Sequence, residues 1–214
     1  MLTEGILFFQ KGGPVMYVLL LCSFFVVAVA VERAMYFSRA DDGRAFAQKF
    51  AGLMDGGDFR GALHLARTSH GSLANILAEA AERVAAGKNV SSFMEIQSGV
   101  ALSRLRQRLY YLSVIVTMAP LLGLLGTISG MISAFRVFDI QSGQAAGITS
   151  GVGEALIATA MGLCVAIVAL AVHAYFTQRV ENILTDMELC FSFVEAHADD
   201  YAAESKRQET GRSS

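Results

Sequence analysis

"APLLGLLGTISGMISAF" runs from Ala119 to Phe135 and contains no charged residue. It holds three glycines, Gly123, Gly126 and Gly130, and one threonine, Thr127. Each glycine inside a helix costs about 0.8–1 kcal/mol relative to alanine. The uncharged stretch begins earlier, at Leu109, and ends at Arg136. That is longer than the roughly 20 apolar residues needed to cross a bilayer. A membrane-spanning helix that tolerates repeated glycine is therefore the first element of the fold.

Two further segments match it. Gly12 to Val31 has no charge and ends at Glu32-Arg33. The third runs from about Ile148 to Gln178, broken only by Glu154 and His173. The whole chain of 214 residues is 54% hydrophobic and only 17% charged, with a mean hydropathy of +0.47. Such a balance is far from that of an average soluble domain. The first segment resembles a signal peptide at Ala28-Val29-Ala30, but its long apolar run and lone early cation, Lys11, read as a retained anchor. Net charge is −2 and no basic stripe occurs, so no nucleic-acid partner is expected. The cysteines Cys22, Cys164 and Cys190 show no metal-ligand spacing and read as small buried residues. No metal, cofactor or catalytic residue is expected.

Lys and Arg set the orientation. Arg33, Arg39, Arg44 and Lys49 follow the first span, Arg104, Arg106 and Arg108 precede the second, and Arg179 follows the third. The opposite side carries Lys11 and Arg136. The expected organisation is an external segment over 1–13, a first span over 14–37 and a cytoplasmic helical domain over 38–103. A second span with a cytoplasmic extension covers 104–138, and an external loop covers 139–149. The third span covers 150–178, its cytoplasmic helical extension 179–200, and a disordered tail 201–214. The fold class is thus all-α: three transmembrane helices, the second and third extended into the cytoplasm, and a small helical cytoplasmic domain.

Within that domain "AFAQKFAGLM" and "FRGALHLART" flank a "DGGD" turn as two short amphipathic helices, and "LANILAEAAERVAAG" reads as a third that closes at Gly87. In the tail Val180, Ile183, Leu184, Met187, Phe191 and Val194 recur at helical spacing. "VALSRLRQRLYYL" reads as a cytoplasmic extension of the second span. His64, His70 and His197 are expected at the surface.

The glycines form a pattern. Ala119, Gly123, Gly126/Thr127, Gly130 and Ala134 step by three or four along the second span. Gly151, Ala155, Ala158, Gly162, Ala166 and Ala169 do the same along the third. Small residues let helix backbones approach in lipid, where packing replaces the hydrophobic effect. Docking of these two faces is the plain reading. Depth suggests more. Thr127 lies eleven residues before the expected exit at Phe138, about 16 Å at 1.5 Å per residue. Thr159 lies nine residues after the expected entry at Ser150, about 14 Å deep. Both sit near the midplane of a roughly 30 Å core. Glu154 is about 6 Å in, on the outer side. An intramembrane carboxylate marks function by default, and pairing with Arg136 is its plain alternative. For the threonines the plain alternative is a bond back to the same helix.

"APLLGLLGTISGMISAF" followed by "GVGEALIATAMGLCVAI" (Gly151 to Ile167) resembles the paired signature of the MotA/TolQ/ExbB proton-channel family, most nearly its ExbB/TolQ branch. "GDFRGALHLA" and the three-span layout belong to the same resemblance, which covers nearly the whole chain. Val168 and Ser129 stand where that family often has proline and tryptophan. The resemblance implies a ring, a pentamer in the better-known members, in the bacterial inner membrane with a periplasmic N-terminus. It implies an ExbD/TolR-like single-span partner carrying a transmembrane Asp, and a TonB/TolA-like effector. The implied activity is conversion of the proton gradient into mechanical work, such as energising outer-membrane transport; Tol-type envelope maintenance, motility and defence use similar rings. Thr127, Thr159 and Glu154 correspond to the proton-pathway positions. Gly123, Gly126, Gly130, Ala155, Gly162 and Ala166 correspond to helix packing and partner contact.

The residues themselves point the same way at one place. The spans carry no Asp, Lys or His near the midplane, and hydroxyls exchange hydrogen bonds without holding charge. A proton crossing there needs a titratable stop or a continuous water chain, and a carboxylate to serve as that stop must come from a partner. Two rivals stand beside this reading. An intramembrane serine protease would need Ser129 and His173 together, but they lie at different depths. A non-conducting membrane scaffold would need only the small-residue faces.

Overall fold

A computed structural model describes residues 13–86, 88–140, 145–198 and 200. Every regular element among them is helical: α1 Val15–Ala40, α2 Arg44–Asp55, α3 Phe59–Thr68, α4 Ser72–Ala85, α5 Ser91–Arg106, α6 Leu109–Ile140 and α7 Ala145–Ala196. Among the described residues three stretches are long and apolar enough to cross a membrane, one each in α1, α6 and α7. The protein is an all-α membrane protein. Its residues divide into two compact units, the described parts of 1–32 with 108–176, and of 33–107 with 177–214.

The first unit holds the apolar portions of α1, α6 and α7. In α1 one stripe, Met16, Leu19, Val26 and Val29, is buried, while Leu20, Leu21, Phe24 and Val27 are exposed. In α6 and α7 Leu121, Leu125, Ile132, Leu156 and Ile167 are likewise exposed. So much uncovered aliphatic surface is untenable in water and natural against lipid or a partner helix. Glu32 and Arg108 pair at 3.4 Å, and Phe25 meets Tyr111 edge-on with centroids 6.3 Å apart.

The second unit is a helical domain with an ordinary core. Phe46, Phe50 and Met54 of α2, Ala62 and Ala66 of α3, Leu77 and Val84 of α4 and Met94 of α5 are all buried. From α7 it takes Val180, Ile183, Met187, Cys190 and Val194. Leu184 and Phe191 are only half-buried, because Cys190 takes the core-facing place between Met187 and Val194. Local chemistry sets the helix starts. Asp58 caps α3 by accepting from the Gly61 N–H at 2.9 Å. Asp42 caps α4 from a distant loop, accepting from Gly71 N–H at 2.8 Å and Ala74 N–H at 3.0 Å. Arg33 is buried at 4% exposure, where it donates to the Arg104 and Leu105 carbonyls at 3.4 Å each. It thereby covers orphan acceptors at the end of α5.

Several expectations need correction. "VALSRLRQRLYYL" is not one uninterrupted extension of the second span: its first half belongs to α5, and regular helix breaks at Gln107 and Arg108. Gln107 keeps helical dihedrals, φ −49° and ψ −41°, so the break is a lapse in the bonding ladder. The expected loop over 139–149 is helical at Asp139 and Ile140 and again from Ala145, since Ala145-Ala146 favours helix; 141–144 lie outside the described residues. Cys164 is exposed, on the α7 side opposite its small face. Cys190 is buried and Cys22 intermediate. His197 is half-buried, its ring stacked on Phe193 at 6.3 Å. Gly87 and the tail 201–214 lie outside the described residues.

Candidate functional site: the seam between the second and third spans

The two small faces meet. A Cβ added at Gly162 would lie 2.6 Å from the Ala119 carbonyl oxygen and 3.0 Å from Gly123 Cα. One added at Gly123 would lie 3.1 Å from Thr159 Cα. Gly126 abuts the Ala158 methyl, Gly130 faces Ala155 and the Gly151 carbonyl, and Gly151 abuts the Ala134 methyl. Backbone therefore touches backbone along four turns, from Ala119 against Gly162 to Ala134 against Gly151. No larger side chain fits at these positions, which is why α6 retains its glycines against their helix propensity. Ala155, Ala158, Ala166 and Ala169 are buried on the same face of α7.

The two threonines engage the same turn of α6. Thr159 Oγ1 donates across the seam to the Gly123 carbonyl at 3.1 Å. Thr127 Oγ1 donates to the neighbouring Leu124 carbonyl, on its own helix, at 2.6 Å. Thus the local back-bond describes Thr127 and an interhelical bond describes Thr159. In these geometries each hydroxyl has spent its one proton and keeps acceptor capacity.

Glu154 is half-buried. Its carboxylate lies against Gly13, filling the space a Cβ there would need. Gly13 has φ +70°, a left-handed conformation open to glycine. It precedes Pro14 and the first turn of α1, where the positive end of the helix dipole favours a nearby anion. Arg136 is exposed and no ion pair joins it to Glu154 among the described residues. The sequence reading missed Gly13. The "GGP" run just before an apolar helix was the available signal. It gave no role to Pro120 either, which sits inside α6 and leaves the Val116 carbonyl without its usual N–H partner. No group of three or more metal-ligating side chains occurs among the described residues.

A three-span helical membrane protein with a glycine-lined seam and hydroxyls bonded inside it defines the class. Residues 68–189 match the model of the MotA/TolQ/ExbB proton channel family, and the chain belongs to that family. A Synechocystis relative described as a biopolymer transport protein, ExbB-like 1, is 36% identical over 175 residues, covering 77% of this chain and 67% of its own. The Neisseria meningitidis serogroup A biopolymer transport protein ExbB is 27% identical over 203 residues, covering 85% and 91%. The Pseudomonas aeruginosa Tol-Pal system protein TolQ is 36% identical over 90 residues, covering 40% and 39%. The chain therefore spans about two thirds of the Synechocystis relative's length. These similarities set it in the ExbB/TolQ branch.

Proposed function

We propose that this chain is the ring-forming subunit of a proton-driven motor in the bacterial inner membrane, with its N-terminus periplasmic and its C-terminus cytoplasmic. It assembles as a homo-oligomer, a pentamer by family resemblance, around an ExbD/TolR-like helix bearing a transmembrane Asp. The work goes to a TonB- or TolA-like effector. No covalent catalysis is part of this reading.

The single observation that supports it best is the pair of threonine hydroxyls bonded to adjacent carbonyls, Gly123 and Leu124, in one turn of α6. Each hydroxyl as found can still accept a hydrogen bond, so it suits a protonated Asp. Rotating either hydroxyl proton away from its carbonyl turns it into a donor, which suits the ionised Asp. The released carbonyls keep their helical N–H partners, so the swap strands no backbone group. Glu154, nearer the outer end and beside an α1 N-terminus, serves as the entry carboxylate. The drive is about 2.3 kcal/mol per proton per 100 mV, plus any pH gradient.

The test is proton flux through purified ring plus partner in liposomes. Thr127→Val and Thr159→Val keep shape and remove the hydroxyls. Reduced flux with intact assembly supports the reading, and wild-type flux in the double variant refutes the role of both threonines. A non-conducting scaffold, which the packed seam alone would satisfy, gives no flux even for wild type with its partner. For topology, Ser142→Cys in a cysteine-free background labels from outside with an impermeant reagent. Labelling of Ser72→Cys instead would invert the orientation.

A further inference from the structure

The helical domain contains a polar cavity of about 190 Å³ lined by Asp41, Gly43, Arg44, Arg179, Asn182 and Asp186, among others. At about 30 Å³ per water, it holds roughly six waters or one small organic molecule. Gly43, with φ +78°, has nothing within 4 Å of where a Cβ would stand, which leaves that wall open.

The charges lining it are not all used. Asp41 is fully engaged: its Oδ1 accepts from the Gly43 N–H at 2.8 Å and its Oδ2 pairs with Arg179 at 3.4 Å. Asp186 differs. It is only 8% exposed, lines the cavity, and has no hydrogen bond or ion pair among the described residues. Its carboxylate oxygens stay open to the cavity and receive no hydrogen bond from the described residues, so a cationic group can reach them. Burial raises the Asp186 pKa, the Arg44 charge lowers it, and Asp41 raises it. Arg44 is exposed at the rim, also without an ion pair within 4 Å among the described residues. Among the described residues the charges without a direct hydrogen-bonded partner are thus Asp186 inside and Arg44 at the mouth.

We propose that this cavity binds a small zwitterion, a primary ammonium joined by a short chain to a phosphate. The ammonium sits on Asp186 and the phosphate sits on Arg44 with help from Arg179. The inner anion selects the ammonium end. The guanidinium fork at the mouth suits a phosphate oxygen pair, and Arg179, held only loosely by Asp41, can share it. The same chemistry exists as a free aminoalkyl phosphate and as an ethanolamine phospholipid headgroup. Arg179 directly follows the apolar stretch of α7, within reach of a headgroup source.

O-phosphoethanolamine titrated into the full-length protein, by calorimetry or native mass spectrometry, is the direct test. Asp186→Asn and Arg44→Gln should each weaken binding by about tenfold or more, the usual effect of losing a charged hydrogen bond. Arg67→Gln, whose side chain pairs with Glu82 instead, should leave it unchanged. Ethanolamine alone and inorganic phosphate alone should each bind at least tenfold more weakly. Because Arg44 is exposed, its variant keeps the test open if Asp186→Asn fails to fold. Vesicles with and without phosphatidylethanolamine, against phosphatidylglycerol alone, separate the sources: selective co-purification of the ethanolamine lipid assigns the headgroup, and binding of the soluble compound only assigns the free molecule. Equal binding by both variants, phosphate alone or glycine binding as tightly, or no binding in either arm would overturn the proposal.

Discussion

The Thr159 hydroxyl donates to the Gly123 carbonyl at 3.1 Å, a side chain of one span bonded to the backbone of another. It can do so because Gly123 has no side chain to hold α7 away, and Thr159 Cα would be 3.1 Å from any Cβ there. Thr127, by contrast, bonds within its own helix. The two therefore part company in stability. Thr159→Val should lower the melting temperature of the detergent-solubilised protein by the equivalent of about 0.6–2 kcal/mol, the range for interhelical bonds in membranes. Thr127→Val should change it by less than about 0.5 kcal/mol. Equal losses would mean that the cross-seam bond contributes nothing.

Two glycines of α7 should respond in opposite directions to the same substitution. Gly162→Ala drives a methyl into the Ala119 carbonyl oxygen, 2.6 Å away, and overpacking of this kind costs about 1–3 kcal/mol. Gly153→Ala meets nothing within 4 Å and should gain up to about 1 kcal/mol in helix propensity. Thermal melts of the pair against wild type decide it. A stabilised Gly162→Ala would mean that the seam is looser than these distances.

Asp42 reaches across the chain to two N–H groups at the start of α4. Asp42→Ala should cost about 0.5–2 kcal/mol, as loss of a helix cap does. Hydrogen exchange should rise first at Gly71 and Ala74. Unchanged exchange at those amides would show that the carboxylate is not their partner.

Much of this was readable in the chain and some was not, for physical reasons. Spans are legible because twenty uncharged residues have no other stable setting. The seam is legible because small residues recur at helical spacing on α6 and α7, and the partners found, Gly126 with Ala158 and Gly130 with Ala155, are members of those series. Gly13 beside Glu154 was hidden, since the two are 141 positions apart and neither belongs to a periodic pattern. Asp42 capping α4 and Asp186 facing a cavity were hidden for the same reason: a single long-range polar contact leaves no periodicity. The break at Gln107 was missed because "RLRQRL" has neither glycine nor proline to announce it.

Cys190 is fully buried, and burial first, then Asp186 and Asp42, push its pKa up to about 12 from 9.0. In the unfolded chain the thiol loses its proton first, so the folded state is favoured below pH 9 and that advantage erodes as pH rises from 9 toward 12. The slope from this group is at most about 1.4 kcal/mol per pH unit. Cys190→Ala should flatten the alkaline limb of the stability profile. Maleimide at pH 8 should modify the folded wild-type thiol only as fast as the domain opens. Rapid labelling under native conditions would contradict the burial.

Gly13 and Glu154 form the relationship most open to a functional test. Gly13 stands at φ +70° with the Glu154 carboxylate occupying the place of a Cβ. Gly13→Ala therefore acts twice. It strains the backbone by about 1–2 kcal/mol, the usual penalty for a left-handed L-residue, and it pushes the carboxylate away from the α1 N-terminus. If Glu154 admits protons from the outer side, its displacement should reduce flux severalfold. Gly153→Ala adds a methyl one residue from Glu154 but meets no neighbour, so it should leave flux unchanged. Glu154→Gln completes the set. If it lowers flux as Gly13→Ala does, and the two substitutions together lower it no further, the glycine acts through the carboxylate. If Glu154→Gln conducts as wild type while Gly13→Ala does not, Gly13 matters for packing at the start of α1, and Glu154 leaves the proton route.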